Sequence, residues 1–376
     1  MVDNVVVDYV VVGGGIAGAS VAYHLAEYAS VTVLEREEQP GYHSTGRSAA
    51  MFMEAYGTPQ IRALTRAGRD FYSHPPAVFG EAPLMTPRPC LYVAKADQAD
   101  LIEKNRHVQG LEEISVARAC ELVPCLKAEE ISGVLLEADS KDLEVHNIHQ
   151  GFLRGLKQKG GTLICNAELE KATFAEAVWT IQLANGQSLK AKYLVNAAGA
   201  WADHVAQRSG IQPIGLQPKR RTAFTFSMPE AEGTDFMHWP MVAGLADDFY
   251  FKPDAGQMLG SPANADPVPA QDVQPEELDV AMGIYAIETM SSLQIRRPNH
   301  VWAGLRSFVA DGDLVVGFDD QVPSFFWLAA QGGYGIQSAA GVSLMASNLL
   351  LNQPLADVLL KEGVEPDLLN VKRLRK

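Results

Sequence analysis

The feature that most constrains this chain is a glycine-rich turn close to its start. A run of mostly β-branched residues, 5–12, leads into Gly13–Gly18, a run of small residues follows to Ala29, and a second apolar run ends at Glu35. Dense β-branched residues favour a strand buried on both faces of a parallel sheet. Strand, glycine turn, helix and strand in about 30 residues form a βαβ unit. The pattern therefore predicts an α/β fold with a Rossmann-like nucleotide-binding domain.

Each glycine of this turn has a physical task in binding a dinucleotide. Gly13 permits the tight turn, Gly15 lets the backbone approach a pyrophosphate, and Gly18 lets helix and strand pack closely. The amides of Ile16 and Ala17 open the helix and present N–H groups to phosphate. Glu35 can accept hydrogen bonds from a ribose diol. A glycine turn in an unrelated α/β protein is the alternative interpretation.

Two further segments favour FAD over NAD. Residues 43–50 follow the second strand and are rich in small hydrogen-bonding groups, where an NAD enzyme would usually continue with regular βαβ units. Residues 331–337 place glycines before an apolar helix, so their N–H groups could face the pyrimidine edge of a flavin. That edge becomes negative on reduction, and donors with a helix dipole stabilise it. Surface loops are the alternative for each segment taken alone.

Composition narrows the function classes. The 376 residues carry 31 basic and 45 acidic side chains, a net charge of −14, which disfavours a nucleic-acid partner. The four cysteines show no metal-ligand spacing, so no metal is expected. Residues 1–4 lack the basic start of a secretory signal, and no apolar run is long enough to span a bilayer. We expect a cytoplasmic protein without a transmembrane segment, with the inner-membrane surface as an open alternative location.

The rest of the chain alternates helical and strand patterns. Apolar spacing predicts helices over 58–74, 97–107, 115–123, 146–159 and 338–351. Strands are predicted at 162–165 and 325–329, and a hairpin of 179–183 with 188–195 turns at Asn185–Gly186. Residues 216–300 are strand-rich in their first half and rich in proline and aspartate around 262–279.

These motifs together resemble the D-amino-acid oxidase superfamily of flavoenzymes, and within it the bacterial FAD-dependent D-arginine dehydrogenases. The resemblance covers essentially the whole chain. The matching segments are 13–18, 35–36, 41–50, 196–201, 217–221, 249–256, 260–267, 302–308 and 331–335.

The resemblance implies an FAD-binding domain built from 1–80, 145–215 and 301–376. It also implies a discontinuous β-sheet substrate-binding domain, of α+β type, from 81–144 and 216–300. Because no cysteine follows Cys165, FAD is expected to bind non-covalently. The cofactor-binding residues that the turn, the two segments and the resemblance indicate are Gly13, Gly15, Ile16, Ala17, Gly18, Glu35, Arg36, His43, Ser44, Thr45, Arg47, Ser48, Ala49, Ala50, Leu169, Ala198, Gly199, Trp201, Gly332, Gly333, Tyr334, Gly335, Ile336 and Gln337.

By the same resemblance, Arg221, Tyr250 and Arg306 bind the substrate carboxylate. A planar guanidinium suits this task because it pairs two-pronged with a carboxylate. Tyr56 matches a tyrosine that shields the substrate from solvent, and Gly333 matches a glycine whose carbonyl meets the substrate amine. A solvated or structural salt bridge is the alternative role for either arginine. Tyr334 is expected in the substrate pocket beside them.

Two positions depart from the D-arginine dehydrogenase pattern. Cys90 replaces a glutamate that pairs with the substrate guanidinium, and Met51 replaces a histidine. A buried cation without a partner is strongly disfavoured, whereas a thiol and a thioether form a polarisable apolar wall. The expected substrate is therefore a D-amino acid with a neutral, hydrophobic or aromatic side chain. The alternative is that another acid, such as Glu54, replaces the missing glutamate.

The predicted reaction is oxidation of this D-amino acid to an imino acid by hydride transfer from Cα to flavin N5. Hydrolysis then yields a 2-oxo acid and ammonia. The substrate amine must be neutral for its lone pair to assist, so activity should rise with pH. Oxidation of a secondary amine of sarcosine or proline type is the second interpretation, and a non-catalytic FAD-binding subunit is the third. Quinone and O₂ both remain open as electron acceptor.

Overall fold

The computed structural model describes residues 5–228 and 235–375, so residues 1–4, which concern the signal prediction, lie outside it. Strands, in chain order, are β1 Val6–Val12, β2 Val31–Leu34, β3 Met51–Phe52, β4 Met85–Pro87, β5 Cys90–Lys95, β6 Glu112–Ile114, β7 Ile131–Glu137, β8 Lys141–Leu143, β9 Thr162–Ile164, β10 Leu169–Ala175, β11 Val178–Leu183, β12 Ser188–Asn196, β13 Gln217–Phe226, β14 Met241–Gly244, β15 Tyr250–Asp254, β16 Gln257–Ser261, β17 Asp266–Pro267, β18 His300–Phe308, β19 Val315–Phe318 and β20 Phe325–Ala329.

Helices in the described ranges are α1 Ile16–Leu25, α2 Pro59–Ala67, α3 Arg69–Ser73, α4 Ala99–Asn105, α5 Val116–Leu122, α6 Val145–Gln158, α7 Ala202–Arg208, α8 Glu277–Met290, α9 Gly335–Leu350, α10 Asp357–Lys361 and α11 Pro366–Leu369. Short 3-10 turns lie at Ala77–Phe79, Ala128–Glu130, Gly199–Trp201, Phe236–His238 and Val371–Leu374. None of the helices in these ranges is long and apolar enough to cross a bilayer.

The first sheet carries the βαβ unit that the sequence predicts. Its order is β10-β11-β12-β1-β2-β9, and β20 joins β12 and pairs with β19. Strand β1 runs parallel to both β2 and β12, with Val11 opposite Val33 and Val195. One buried apolar cluster packs α1, α2 and α9 on one face, and a second cluster covers the other. The carboxyl ends of β1, β2 and β12 therefore meet at one edge, where ligands bind in open α/β sheets.

A second, largely antiparallel sheet covers this edge. Its order is β17-β13-β16-β15-β14-β5-β7-β6, and β18 pairs with β13 along nine residue pairs. A third sheet of order β3-β8-β4 connects the two. Aromatic residues including Phe224 and Phe251 fill the core between the second sheet and helix α8. The region that faces the carboxyl edge of the first sheet is therefore a sheet rather than a set of loops.

Three details differ from the sequence prediction. Gly68 ends α2 and separates it from α3, so 58–74 is two helices, packed closely on α9. Helix α8 was not predicted, because its apolar residues surround the helix instead of forming one stripe. Strand β18 belongs to the second sheet, whereas the predicted division places 301–308 with the FAD-binding part. The domain division otherwise stays a prediction.

Candidate active site

A cavity of about 440 Å³ runs between the carboxyl edge of the first sheet and the face of the second. It brings together residues from most of the segments in which the sequence predicts cofactor or substrate contacts, but not Met51, Tyr56 or Cys90. The predicted residues that line it are Gly13, Gly15, Ile16, Ala17, Glu35, Arg36, His43, Ser44, Thr45, Arg47, Ser48, Ala49, Leu169, Ala198, Gly199, Trp201, Arg221, Tyr250, Arg306, Gly332, Gly333, Gly335 and Ile336.

At one end of the cavity, the glycine turn is packed too tightly for side chains. Gly13 has φ +108°, and a Cβ there would lie 2.4 Å from the carbonyl oxygen of Ala197. A Cβ on Gly18 would lie 1.9 Å from the Gly13 oxygen. Gly18 thus sits in the contact between helix and strand, as expected, and does not line the cavity itself. The turn leaves bare backbone facing the cavity.

Glu35 is buried and oriented by backbone donors. The Gly14 N–H donates to Glu35 Oε2 at 2.9 Å, and the Glu37 N–H donates to Oε1 at 2.9 Å. The Ile16 N–H donates to Thr45 Oγ1 at 3.0 Å, which joins segment 43–49 to the start of α1. The carboxylate keeps further lone pairs for a ribose at this end.

Two helices begin at this cavity. Gly15 precedes α1 and Tyr334 precedes α9, and neither residue caps its helix with a side-chain hydrogen bond. Gly15, Ile16, Gly335 and Ile336 all line the cavity. Thr45 already accepts from the Ile16 N–H of α1, and the remaining N–H groups and the positive dipole ends of the two helices favour an anionic ligand. An elongated phosphate-containing ligand fits this arrangement.

Strand β18 holds the segment 43–49 in place. Ser44 Oγ donates to the Leu305 carbonyl at 2.7 Å, Arg47 Nη1 donates to the Ala303 carbonyl at 3.1 Å, and Trp302 Nε1 donates to the Arg47 carbonyl at 3.1 Å. The His43 ring lies 4.6 Å from the Trp201 ring, tilted by 50°. Its Nδ1 is buried and has no hydrogen-bond partner among the described residues. This orphaned atom is consistent with a ligand contact in the cavity.

Two arginines stand at the other end of the cavity. Arg306 on β18 is opposite Lys219 on β13, two residues before Arg221, so both arginines project from the same face of the sheet. Arg221 is 7% exposed, and its Nε and Nη1 have no partner among the described residues. Its Nη2 lies 3.2 Å from Asp247 Oδ2. Arg306 pairs with no carboxylate in the described ranges and lies 3.4 Å from the Tyr56 hydroxyl.

The charge state of this end is set by burial and by neighbouring acidic groups. Burial lowers the pKa of Arg306, but Tyr56, Tyr250 and Asp247 raise it, and the net pKa is above the ordinary value. Burial raises the pKa of Tyr334 above its usual range, so this hydroxyl stays neutral. Two permanent cations with free donors therefore lie at this end, and the Asp247 carboxylate contacts one of them. Such a pair can hold a carboxylate.

Gly333 and the tyrosines complete this end. A Cβ on Gly333 would lie 2.7 Å from Arg306 Nη1, so a larger residue there would displace the guanidinium. The Tyr56 and Tyr334 rings lie 4.9 Å apart, and Tyr56 is partly buried. These tyrosines stand beside the arginines without lining the main cavity.

Four other predicted residues lie behind the cavity wall. Ala50 packs against the buried cluster around Phe52. The amide of Gln337 donates to the carbonyl of Met53 at 3.1 Å and to Thr65 Oγ1 at 3.1 Å, so it holds backbone and does not face the cavity. Met51 and Cys90 are buried in one cluster with Tyr250. Their predicted effect on side-chain preference stays a prediction.

Sequence reasoning missed two acids, Asp247 beside Arg221 and Glu137 beside the turn that carries Tyr56. Asp247 lies between β14 and β15 in an Ala-Asp-Asp turn, whose only sequence signal is its polarity. Glu137 ends β7, is 2% exposed, and lies opposite Cys90. Nothing in the local sequence marks it as buried. No cluster of three metal-binding side chains occurs in the described ranges.

The chain is similar to known proteins along most of its length. It is 24% identical over 404 residues to FAD-dependent oxidoreductase domain-containing protein 1 of Bos taurus, covering 92% of this chain and 81% of that protein. It is 21% identical to the mitochondrial dimethylglycine dehydrogenase of Rattus norvegicus, over 91% of this chain and 43% of that protein. Glycine oxidase from Geobacillus kaustophilus shares the fold, with TM-score 0.81, 17% identity and coverage of 93% and 96%.

L-proline dehydrogenase from P. horikoshii also shares the fold, with TM-score 0.81, 18% identity and 98% coverage of both chains. The model of the FAD-dependent oxidoreductase family, DAO, matches residues 8–349. This match spans the glycine turn, the arginine-bearing strands and the start of α9. The cavity, with its bare backbone and two helix N-termini, fits the FAD that this family uses. The chain therefore belongs to the DAO family of FAD-dependent oxidoreductases.

Proposed function

We propose that this protein oxidises D-amino acids at the CH–NH₂ bond to imino acids, which water converts to 2-oxo acids and ammonia. The observation that carries the proposal is the pair Arg221 and Arg306, two buried-to-half-buried cations with free donors on one sheet face. A non-catalytic FAD-binding protein would have no use for such a pair. A substrate that bears a carboxylate would satisfy both.

The residues around the pair would position the substrate. Arg306 and Tyr56 would share one carboxylate oxygen and Arg221 the other, while the Gly333 carbonyl would orient the amine. Holding a substrate in one reactive orientation supplies much of the rate acceleration of such reactions. Bound FAD supplies the two-electron acceptor. Gly13, Gly15, Glu35 and the segment 43–49 would hold it.

The acids nearby support a neutral substrate side chain. Glu54, the candidate replacement for the missing glutamate, is paired with Arg69 at 2.6 Å. Asp247 faces Arg221, and Glu137 is buried behind Tyr92. Burial raises the pKa of the Cys90 thiol, so this residue is uncharged. None of these three acids lines the cavity, so none of them is placed to receive a cationic side chain.

Oxidation of a secondary or tertiary amine is the second candidate. The names of several relatives favour it, because they describe a dimethylglycine dehydrogenase, a 4-methylaminobutanoate oxidase and an L-proline dehydrogenase. The arginine pair would serve such substrates equally well, since each of them carries a carboxylate. Only the space around the amine nitrogen would differ.

Anaerobic bleaching of the flavin absorbance tests both candidates. The purified holoenzyme would be mixed with D- and L-leucine, D- and L-methionine, D- and L-phenylalanine, D-arginine, sarcosine and proline. We expect fast bleaching by the neutral D-amino acids and little by D-arginine. Fast bleaching by D-arginine would overturn the side-chain assignment, and faster bleaching by sarcosine or proline would favour the second candidate.

A further inference from the structure

The buried acid Glu137 contacts the turn that carries Tyr56. Glu137 Oε1 accepts from the Ala55 N–H at 3.1 Å, and the Glu54 N–H also contributes to the environment of this carboxyl. On its other side, Oε2 accepts from the Tyr92 hydroxyl at 3.0 Å. Among the described residues no cation pairs with Glu137. Its partners are thus backbone donors of the turn and one tyrosine.

The same turn is held from the opposite side by Gln337. The amide of Gln337 donates to the carbonyls of Met53 at 3.1 Å and Tyr56 at 3.5 Å. The turn connects β3 to α2, and Tyr56 reaches from it to Arg306. Glu137 therefore accepts from backbone N–H groups of the turn, and Gln337 donates to its carbonyls. The Tyr56 hydroxyl is placed by two separate parts of the fold.

Burying a carboxyl group without a nearby cation is unfavourable unless hydrogen bonds compensate for the loss of its hydration. Burial raises the pKa of Glu137 to about 7, while its hydrogen bonds from Ala55, Tyr92 and Glu54 lower it. The other charged or titratable groups around it are Cys90 and Tyr92 on β5, Glu54 on the turn and Arg69 on α3. Its placement at the end of β7 links the second sheet to the active-site turn.

We propose that Glu137 is a positioning residue: it fixes the turn 53–56 and thereby holds the Tyr56 hydroxyl against Arg306, where the substrate carboxylate binds. The binding of a substrate carboxylate at this point is part of the proposed function, on which the inference rests. Glu137 acts through Tyr56 and does not touch substrate. Removing Glu137 should therefore weaken carboxylate binding only while the Tyr56 hydroxyl is present.

A double-mutant cycle tests this coupling in the holoenzyme. The probe is benzoate, a simple carboxylate, and its Kd is read from the change in flavin absorbance. We expect E137A and Y56F each to raise Kd by about ten-fold, the effect of losing a hydrogen bond to a charged group. In the Y56F background, E137A should change Kd by less than about two-fold, because the two residues act in series. If E137A raises the benzoate Kd by the same factor in the wild-type and Y56F proteins, the proposal is overturned.

Two variants serve as controls. E137Q keeps the size and an acceptor for the Ala55 N–H, so it should restore most of the benzoate affinity. E112A removes an exposed acid from the neighbouring strand β6, opposite Leu136, and should leave Kd unchanged. A drop in Tm for E137A without any change in Kd would indicate a purely structural role and overturn the proposal.

Hydrogen exchange separates this inference from the proposed function. In the holoenzyme, E137A should speed amide exchange of the peptide that contains 53–57 by about ten-fold relative to E112A, with E137Q close to wild type. Unchanged exchange overturns the role of Glu137 even if amino acids are oxidised. If benzoate does not bind and no amine bleaches the flavin, the proposed function fails, and exchange alone then decides whether Glu137 fixes the turn.

Discussion

The two ends of the cavity are built in opposite ways. The dinucleotide end comes from one continuous unit, β1–α1–β2, and presents backbone: Gly13 and Gly18 leave no room for a Cβ. The arginine end collects side chains from distant segments, with Arg221 on β13, Arg306 on β18 and Tyr56 between β3 and α2. Ligand binding at the dinucleotide end requires that the turn carry no side-chain atoms. Ligand binding at the arginine end requires that charged side chains lie close together.

Because the two ends are built differently, substitutions at each end should have different effects on FAD content and substrate binding. Added volume at the first end displaces backbone in contact with backbone, and it should affect FAD content and folding together. Loss of a charged group at the second end leaves the sheet intact, since its core consists of apolar residues behind the arginines. Changes there should affect substrate binding with FAD retained.

The largest effect is expected at Arg306. R306M removes a cation that would pair with the substrate carboxylate, and kcat/KM should fall on the order of 10³-fold because truncating a charged partner is strongly unfavourable. FAD content should stay at the wild-type level. R297M, which removes an exposed arginine outside the site, is the matched control. A loss below about ten-fold would contradict the carboxylate role.

At the opposite end, G18A tests the backbone packing. Its Cβ would lie 1.9 Å from the Gly13 oxygen, so the turn must shift. Overpacking of this kind destabilises by about 1–3 kcal/mol, and we expect a lower Tm together with loss of bound flavin. Absorbance at the flavin maximum per mole of protein measures the second. Full flavin content at unchanged Tm would show that the turn is more adaptable than its geometry indicates.

Glu137 connects the second sheet to the arginine end, and its pKa makes this connection sensitive to pH. Burial raises its pKa from 4.5 to about 7. Between these values the unfolded chain releases the proton while the folded chain keeps it, so stability falls as pH rises and the full penalty is present above pH 7. The penalty is about 3 kcal/mol, at 1.36 kcal/mol per pKa unit.

E137Q removes this titration. Relative to wild type, the variant should gain stability as pH rises from 5 to 8, and urea unfolding of the holoenzyme across this range measures the gain. E112Q, at an exposed position on β6, should show no such trend. A difference between E137Q and wild type that does not vary with pH would place the pKa of Glu137 outside this range.

The smallest effect is expected at Asp247. Its side chain is 53% exposed and lies 3.2 Å from Arg221, so the ion pair contributes at most about 1 kcal/mol. In D247N, Arg221 loses a competitor for the substrate carboxylate, and KM should fall by up to about five-fold with kcat unchanged. A higher KM would mean that Asp247 assists substrate binding instead.

Much of the dinucleotide end was predictable because its signals are local. The glycine spacing, the β-branched run and Glu35 lie within one βαβ unit, and β1, α1 and β2 appear within a few residues of the predicted bounds. Periodicity also located α6, β20 and α9. The break at Gly68 and helix α8 were missed, because a tight contact with α9 and an apolar helix without a polar face leave no clear periodic signal.

The arginine end was predictable only through resemblance. The apolar residues around Arg306 weaken a salt-bridge role only slightly, and nothing local distinguishes Arg221 from a salt-bridging arginine. Cys90 and Met51 illustrate the same limit, because they lie behind the wall with Tyr250 and not on it. Gln337 likewise binds the turn and not the cavity.

By itself, the sequence determined the nucleotide-binding unit, because glycine spacing and hydrophobic periodicity encode local backbone geometry. Its motifs taken together carried the resemblance that indicated FAD and the family. The tertiary structure decided which charged side chains lie close together. The register of β13 with β18 put two arginines on one face, and the packing of β7 against the turn 53–56 buried Glu137 beside the Tyr56 backbone. Such contacts join residues far apart in the chain, and only the folded sheet brings them within hydrogen-bond distance.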